Sequence, residues 1–119
     1  NDYAFYNCSN ITEIILSNIT VIGNYAFKNC SSLLVLGIPT GVTKIGDYIT
    51  SGCNSLIEVS LPNTLREIGE YPFSASSLTY LVFRGYQYEW ETINKPKWIT
   101  NNIRGVRAID GAILINGGY

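Results

Sequence analysis

The chain has 119 residues and a net charge of −1, so it has no surplus of positive charge for binding nucleic acid or an acidic membrane surface. Its length can build one domain with a continuous core, but it leaves no room for a separate catalytic module. The sequence contains neither a run of about 18 apolar residues nor a signal peptide, so we predict no membrane insertion in this segment.

A unit of 23 residues recurs along the chain, and its clearest copy runs from Ile22 to Lys44. Two further copies begin at Ile45 and Ile68, and an incomplete copy precedes Ile22. A period in the low twenties around Leu-x-x-Leu-x-Leu is the signature of a leucine-rich-repeat solenoid. We therefore predict about four repeats over residues 1–83 and a C-terminal cap over residues 84–119. Because the chain lacks Met and opens inside a repeat, we expect a processed protein or a fragment of a longer one.

Apolar and variable residues alternate at the centre of each copy, which predicts short strands over residues 13–16, 35–38, 58–61 and 80–83. Stacked copies would join these strands into a parallel sheet on the concave side of the solenoid. Pro39 and Pro62 should end their strands, because proline has no N–H for the ladder. The sheet should bury two columns of side chains: Ile14, Leu36, Val59 and Leu81 in one, and Leu16, Ile38, Leu61 and Phe83 in the other.

After the proline, each copy supplies a second extended piece whose Val42 or Leu65 and Ile45 or Ile68 should face inward. The recurring Gly23, Gly46 and Gly69 then allow a tight bend. On the convex side, the segment Tyr-Ala-Phe-x-x-Cys predicts a short turn or a 3₁₀ turn that carries Phe5, Phe27 and Phe73 into the core. Thr50 replaces this ring in the third copy, which should therefore pack least well.

Two residue types recur at fixed slots and have competing interpretations. Cys8, Cys30 and Cys53 are most simply small buried hydrophobes; three thiols cannot all pair, so a disulfide is the minor alternative. No His and no C-x-x-C are present, so we predict no metal and no cofactor. The second slot holds a ladder of tyrosines, for which packing is favoured over ligand binding: Tyr3, Tyr25, Tyr48 and Tyr71.

The period stops after Phe83, and the tail has the features of a cap. Residues 89–94 place Trp90 and Ile93 on one face of a short helix. Pro96 interrupts this pattern, and Trp98 follows. Two apolar runs, 106–109 and 112–115, then flank Asp-Gly, which is a strong hairpin signal. A helix and a hairpin here would cover the last apolar face of the solenoid.

The pattern Ile-Gly-x-x-Ala-Phe-x-x-Cys-x-Ser-Leu-x-x-Leu-x-Ile-Pro over residues 1–83 resembles the BspA-like, treponemal-type class of leucine-rich repeats. The Pro after the strand and the Ala-Phe-x-x-Cys turn distinguish this class from the commoner repeats, which place Asn after the strand. Departures are local: Thr50 replaces Phe, Pro72 replaces Ala, and Ser17 stands in for Pro. The resemblance implies a cell-surface or secreted protein of a host-associated bacterium or a protozoan parasite, with a role in adhesion or host interaction.

We call the surface formed by the outward residues of the strands the concave face. Exposed Ile15, Val35 and Val82 would be costly unless something covers them at times, which favours a protein partner such as a host or extracellular-matrix protein. The rival interpretation is a structural spacer within a longer repeat array, and the oligomeric state stays open. The predicted partner-binding residues are Glu13, Ile15, Val35, Gly37, Glu58, Ser60, Tyr80, Val82 and Arg84.

A glycan-active hydrolase is a remote third interpretation. The chain has no His, no G-x-S-x-G nucleophile motif and no phosphate-binding loop. Glu13 and Glu58 would lie two strands apart, or roughly 10 Å at about 4.8 Å per strand. Inverting glycosidases hold their carboxylates roughly 6.5–9.5 Å apart. An exposed, shallow face would not raise the pKa of either carboxylate, so we predict a non-catalytic protein.

Overall fold

A computed structural model of the chain describes residues 2–5, 7–14, 16–73, 78, 80–95, 105–109, 111 and 113–115. The part of the chain that it describes is built of very short strands and one short helix. The strands are β1 (Glu13–Ile14), β2 (Val21–Ile22), β3 (Val35–Gly37), β4 (Lys44–Ile45), β5 (Glu58–Pro62), β6 (Glu67–Ile68), β7 (Tyr80–Arg84), β8 (Gly105–Arg107) and β9 (Ile113–Ile115), and the helix is α1 (Gln87–Glu91).

The strands form two sheets, and the chain visits them alternately. One sheet has the order β1-β3-β5-β7-β8-β9, and the other has the order β2-β4-β6. Within both sheets, strands from successive repeats pair in parallel, with Leu36 opposite Val59 and Ile45 opposite Ile68. Each pair is 23 residues apart, so one repeat makes one coil of the solenoid. The predicted leucine-rich-repeat solenoid is confirmed.

The core lies between the two sheets and contains the predicted inward columns. Leu36 and Val59 are fully buried in the first column, and Ile38, Leu61 and Phe83 are fully buried in the second. The second sheet contributes Ile45, while Val42 and Leu65 fill the core just ahead of its strands. Coils stack because no single turn of about 23 residues can bury these side chains alone.

All four predicted strands end at a different residue from the one expected. β1 ends at Ile14 rather than at residue 16, and β7 continues to Arg84 rather than ending at residue 83. β3 ends one residue early at Gly37, so Pro39 lies beyond it, whereas β5 continues through Pro62, which pairs with Arg84 of β7. A proline at the last position of a strand lacks only its own N–H donor. It can therefore still pair with the neighbouring strand, although the strand does not continue beyond it. In the first coil, Ile15 lies outside the described residues.

The convex side consists of turns rather than a regular helix. Tyr25 and Asn29 have left-handed backbone conformations, with φ values of 57° and 63°. Two such residues in one segment break up any run of helical conformations, so only single i→i+3 hydrogen bonds remain, such as Lys28 N–H to the Tyr25 carbonyl at 3.1 Å. The slot of Asn29 holds Gly52 in the third coil, at φ 80°. Asn and Gly both tolerate this conformation.

The third coil has a threonine where the second coil has the ring of Phe27. Thr50 is fully buried, and its hydroxyl donates a hydrogen bond of 3.1 Å to the Pro72 carbonyl. Ile49 is also fully buried and stands where the second coil has Ala26. Because isoleucine is larger than alanine, this position fills more of the core in the third coil than in the second. Reduced packing in this coil stays a prediction.

A ladder of polar side chains joins successive coils at a slot that the sequence analysis did not single out. We call Asp2, Asn24 and Asp47 the Asx ladder. A side-chain oxygen of each accepts a hydrogen bond from the backbone N–H one coil later, at 2.8 Å from Asn24, 2.7 Å from Asp47 and 2.8 Å from Glu70. The ladder supplies a hydrogen-bond acceptor for one backbone N–H in each coil. The side chain of a helix N-cap residue does the same for a backbone N–H in the first turn of its helix.

The Asx ladder explains the repeated glycines. A Cβ atom on Gly46 would lie 2.4 Å from Asn24 Oδ1, and one on Gly69 would lie 2.4 Å from Asp47 Oδ1. Neither glycine has a positive φ. At both positions the close approach of the neighbouring coil excludes a side chain, so glycine is required there without a positive φ. That these glycines also allow a tight bend stays a prediction.

Helix α1 begins two residues earlier than predicted and ends before Ile93. Glu89 Oε1 accepts a hydrogen bond of 2.9 Å from the backbone N–H of Tyr86, the residue before the helix, and this contact fixes the first turn. Trp90 is buried, with its ring edge-on to Phe83 at 5.2 Å between ring centroids. Ile93 is buried as well, although it follows the helix.

The predicted C-terminal hairpin is present in the described part of the tail. β8 pairs in parallel with β7, and β9 returns antiparallel to β8, so the hairpin continues the larger sheet. Gly111 lies in the connection with φ 84°, whereas Asp110 lies outside the described residues, as do Pro96 and Trp98. A boundary between repeats and cap at residue 83 stays a prediction.

Candidate functional site

The registers of the larger sheet bring most of the predicted partner-binding residues together on the concave face. The first row, in order across the sheet, is Glu13, Val35, Glu58 and Tyr80. The second row is Gly37, Ser60 and Val82. Glu13 and Gly37 are exposed, while Val35, Glu58, Ser60 and Val82 are half-buried. The predicted Ile15 lies outside the described residues, and the side chain of Tyr80 is not described. That these rows bind a partner stays a prediction.

Two exposed aliphatic residues, which the sequence analysis missed, lie beside the first row. Leu34 and Ile57 immediately precede Val35 and Glu58, and their side chains are 44% and 48% exposed. Their backbones belong to the ladder of coils, since the Leu34 N–H donates to the Thr12 carbonyl and the Ile57 N–H donates to the Leu34 carbonyl, both at 2.9 Å. We call this pair the apolar rim. The sequence does contain a signal for this pair, because the same position of two successive repeats holds an apolar residue.

The second row is shallow and open at Gly37. A Cβ atom built on this glycine would meet nothing within 4 Å. Its neighbour in the next coil, Ser60, also has a small side chain. Packing within the fold therefore does not explain Gly37, in contrast to Gly46 and Gly69.

Arg84 makes contacts that were not predicted from the sequence. Its guanidinium donates hydrogen bonds to the backbone carbonyls of Ile38 and Leu61, across the ends of β3 and β5. Partial burial lowers the pKa of Arg84. These contacts fasten three neighbouring coils together at the edge of the sheet. The charge of Arg84 is therefore engaged by the fold itself, and its role in partner binding stays a prediction.

The cysteines have the chemistry of core residues. All three are free thiols, and Cys30 and Cys53 donate hydrogen bonds of 3.0 Å to the carbonyls of Phe5 and Phe27 in the preceding coil. Burial raises the pKa of Cys53 to about 12 and also raises the pKa of Cys30. Neither group becomes a thiolate near neutral pH, and thiolates are the reactive form. No group of three acidic, Cys or His residues suited to a metal ion occurs among the described residues.

The tyrosine ladder packs against itself. Ring centroids are 5.2 Å apart between Tyr3 and Tyr25, 5.6 Å between Tyr25 and Tyr48, and 5.8 Å between Tyr48 and Tyr71, with the planes nearly parallel in the first two pairs. Each ring of an inner coil therefore meets rings on both sides. All four residues have a positive φ, a conformation that is uncommon for a bulky residue. The stacked arrangement favours the packing interpretation over a ligand platform.

Glu13 and Glu58, the two carboxylates considered for glycoside hydrolysis, lie in the first row of the concave face. Val35 lies between them in the register, so they are two strands apart. At about 4.8 Å per strand this separation is about 10 Å, at the far limit for an inverting pair. Glu13 is also exposed to solvent rather than enclosed by the fold.

Comparison with known proteins gives one match. A family model described as BspA type leucine rich repeat region (6 copies) matches residues 1–101. No curated protein and no solved structure matches the chain. Within the described ranges, no helix is long and apolar enough to cross a membrane.

Proposed function

Because the chain belongs to the BspA type leucine-rich-repeat family, we propose that it is a protein-binding module that captures its partner through the concave face. Membership suggests a protein-interaction role, and leucine-rich-repeat domains are generally non-catalytic. Our finer proposal is that the partner is a host or extracellular-matrix protein and that the role is adhesion. This role requires the module to be displayed at the cell surface or secreted.

The observation that carries the proposal is the apolar rim beside the two rows of the concave face. Leu34 and Ile57 are 44% and 48% exposed, although their neighbours Leu33 and Leu56 are fully buried. Fully burying such a side chain stabilises by about 1.5–3 kcal/mol, so covering the exposed parts of both contributes roughly 2 kcal/mol. Micromolar affinity requires about 8 kcal/mol. A partner must therefore cover the rows of the face as well as the rim.

Gly37 provides a sharp test of this surface. Arginine at this position projects from the open middle of the face and should block a partner, while Gly37→Ala adds only one methyl group where nothing lies within 4 Å. Purified wild type and both variants would be titrated onto immobilised collagen, laminin and fibronectin by surface plasmon resonance. We expect saturable binding by wild type and by Gly37→Ala, and at least a tenfold loss for Gly37→Arg.

Circular dichroism and thermal unfolding would check that the variants keep the fold. Binding by Gly37→Arg equal to that of wild type would show that the partner uses another surface. A wild type that binds none of these matrix proteins would favour the spacer interpretation, in which the stacked core only extends a longer array.

A further inference from the structure

The first row of the concave face carries two carboxylates with an apolar side chain between them. Glu13, Val35 and Glu58 lie opposite one another in three successive coils. Among the described residues, neither carboxylate has a cationic side chain within 4 Å, and the ion pair that is found, between Lys44 and Glu67 at 4.0 Å, lies in the other sheet. Within the described part of the chain, the first row therefore carries two carboxylates with no counter-charge within 4 Å, and the arginines of this sheet, Arg84 and Arg107, lie on β7 and β8.

The apolar rim and Gly37 lie next to the two carboxylates and limit which partner the surface can accept. Leu34 and Ile57 border the row on one side, and Gly37 leaves the other side open to a close approach. Carboxylates beside exposed aliphatic groups are complementary to a chain that alternates cationic and apolar side chains. Lys and Arg suit such a surface, because their aliphatic stems can lie along the rim while their charged ends reach the carboxylates.

The spacing of the carboxylates limits the conformation of such a chain. Two strand steps separate them by about 9.6 Å at about 4.8 Å per strand. A polyproline II helix repeats every three residues and rises about 3.1 Å per residue, so side chains at i and i+3 are about 9.3 Å apart on one face. In a β-strand, side chains on one face recur about every 6.8 Å, which does not match.

We propose that the concave face binds an extended, positively charged polypeptide in the polyproline II conformation, with Lys or Arg at every third residue. The chain crosses the strands along the first row, places its cations at Glu13 and Glu58, and packs its intervening residues on Val35 and the apolar rim. This inference rests on the proposed function, since it names the chemistry of the partner for the same face.

Two blocked 12-residue peptides of identical composition test the spacing. The first, (Lys-Pro-Pro)₄, places Lys at every third position, and the second, Lys-Lys-Pro-Pro-Pro-Pro repeated twice, clusters the same four charges. Each peptide, labelled with fluorescein, would be titrated with the protein by fluorescence anisotropy at 20 mM and 150 mM salt. We expect the regular peptide to bind at least fivefold more tightly than the clustered one. Equal affinities would overturn the proposed spacing.

Charge variants locate the site. Glu13→Gln and Glu58→Gln should each weaken binding of the regular peptide about threefold to tenfold and reduce its salt dependence. Glu91→Gln, an exposed carboxylate on α1, is the matched control and should change nothing. Equal weakening by all three would show attraction to net charge alone and would overturn the proposal.

The outcomes also separate this inference from the proposed function. If Gly37→Arg abolishes matrix binding while the glutamine variants and the charged peptides have no effect, the concave face binds a partner but the cationic polyproline II chemistry is wrong. A helical peptide with Lys seven residues apart spans a similar distance, about 10.5 Å. Tighter binding of that peptide would likewise overturn the proposed conformation.

Discussion

Replacing Gly46 with alanine should separate two coils of the solenoid. The added methyl group would lie 2.4 Å from Asn24 Oδ1, 2.7 Å from Asn24 N and 2.8 Å from the carbonyl carbon of Gly23. Two of these three atoms are backbone, so a side-chain rotation alone cannot relieve the contact. The coils must move apart along the Asx ladder.

The expected loss of stability follows from three contributions. Overpacking of this kind costs about 1–3 kcal/mol. Moving the coils apart also weakens the 2.7 Å hydrogen bond from the Asp47 N–H to Asn24 Oδ1, which contributes about 1 kcal/mol. Alanine restricts the unfolded chain more than glycine does, and this effect stabilises the folded state by about 0.5–1 kcal/mol. The sum is a destabilisation of about 2 kcal/mol.

Urea unfolding followed by far-ultraviolet circular dichroism measures this change as a shift of the midpoint at constant m. Gly37→Ala is the matched control, because its methyl group meets nothing within 4 Å, and it should be neutral or stabilise by about 0.5 kcal/mol. A Gly46→Ala variant within 0.5 kcal/mol of wild type would refute the reasoning. So would rescue of Gly46→Ala by Asn24→Ala, because that rescue would mean that only the side chain had been in the way.

Four further predictions concern the core and its edges. In native protein at pH 8, iodoacetamide should label half-buried Cys8 and leave Cys53 unlabelled until urea is added, as read by mass spectrometry, because burial raises the pKa of Cys53 to about 12. The same shift predicts that Cys53 contributes a fall of about 1.4 kcal/mol per pH unit to the free energy of unfolding from about pH 9 to about pH 12, where the unfolded thiol ionises and the folded one does not. The raised pKa of Cys30 adds a fall in the same direction, and a flat profile in urea titrations would contradict the prediction. Trp90→Ala should cost about 3–5 kcal/mol in urea unfolding, whereas Trp90→Phe should cost much less. The phenylalanine keeps a ring and removes a buried indole N–H that has no hydrogen-bond partner among the described residues. Equal costs would contradict this. Arg84→Met and Arg84→Lys should each lower the free energy of unfolding by about 1 kcal/mol, because neither side chain can donate to the carbonyls of both Ile38 and Leu61. A Lys variant as stable as wild type would show that the positive charge alone is sufficient.

The concave face was predictable because it follows from repetition. Residues 23 positions apart occupy equivalent places, so Val35 and Glu58 had to be neighbours once the coils stacked. The apolar rim was missed because apolar residues at Leu34 and Ile57 continue the run from buried Leu33 and Leu56. In the sequence alone, the second residue of such a pair looks like core. Whether the side chain of that second residue is exposed depends on the residue at which the strand begins.

Contacts between coils were the least predictable part of the structure. The partner of Arg84 at Ile38 is 46 residues away, and it is a backbone carbonyl that the sequence pattern does not mark. The start of α1 likewise depends on the carboxylate of Glu89 reaching back to the Tyr86 N–H. Such contacts depend on the distance between particular atoms, and hydrophobic periodicity carries no information about it.

The sequence by itself determined the period, the parallel stacking and the inward columns, because hydrophobic burial depends on which residues recur and at what step. Only the tertiary structure decided why Gly46 and Gly69 must be glycine and which side chains form the Asx ladder. The physical reason is one of scale. Burial tolerates shifts of an ångström or more, whereas a hydrogen bond or a backbone contact between coils is made or lost within a few tenths of one.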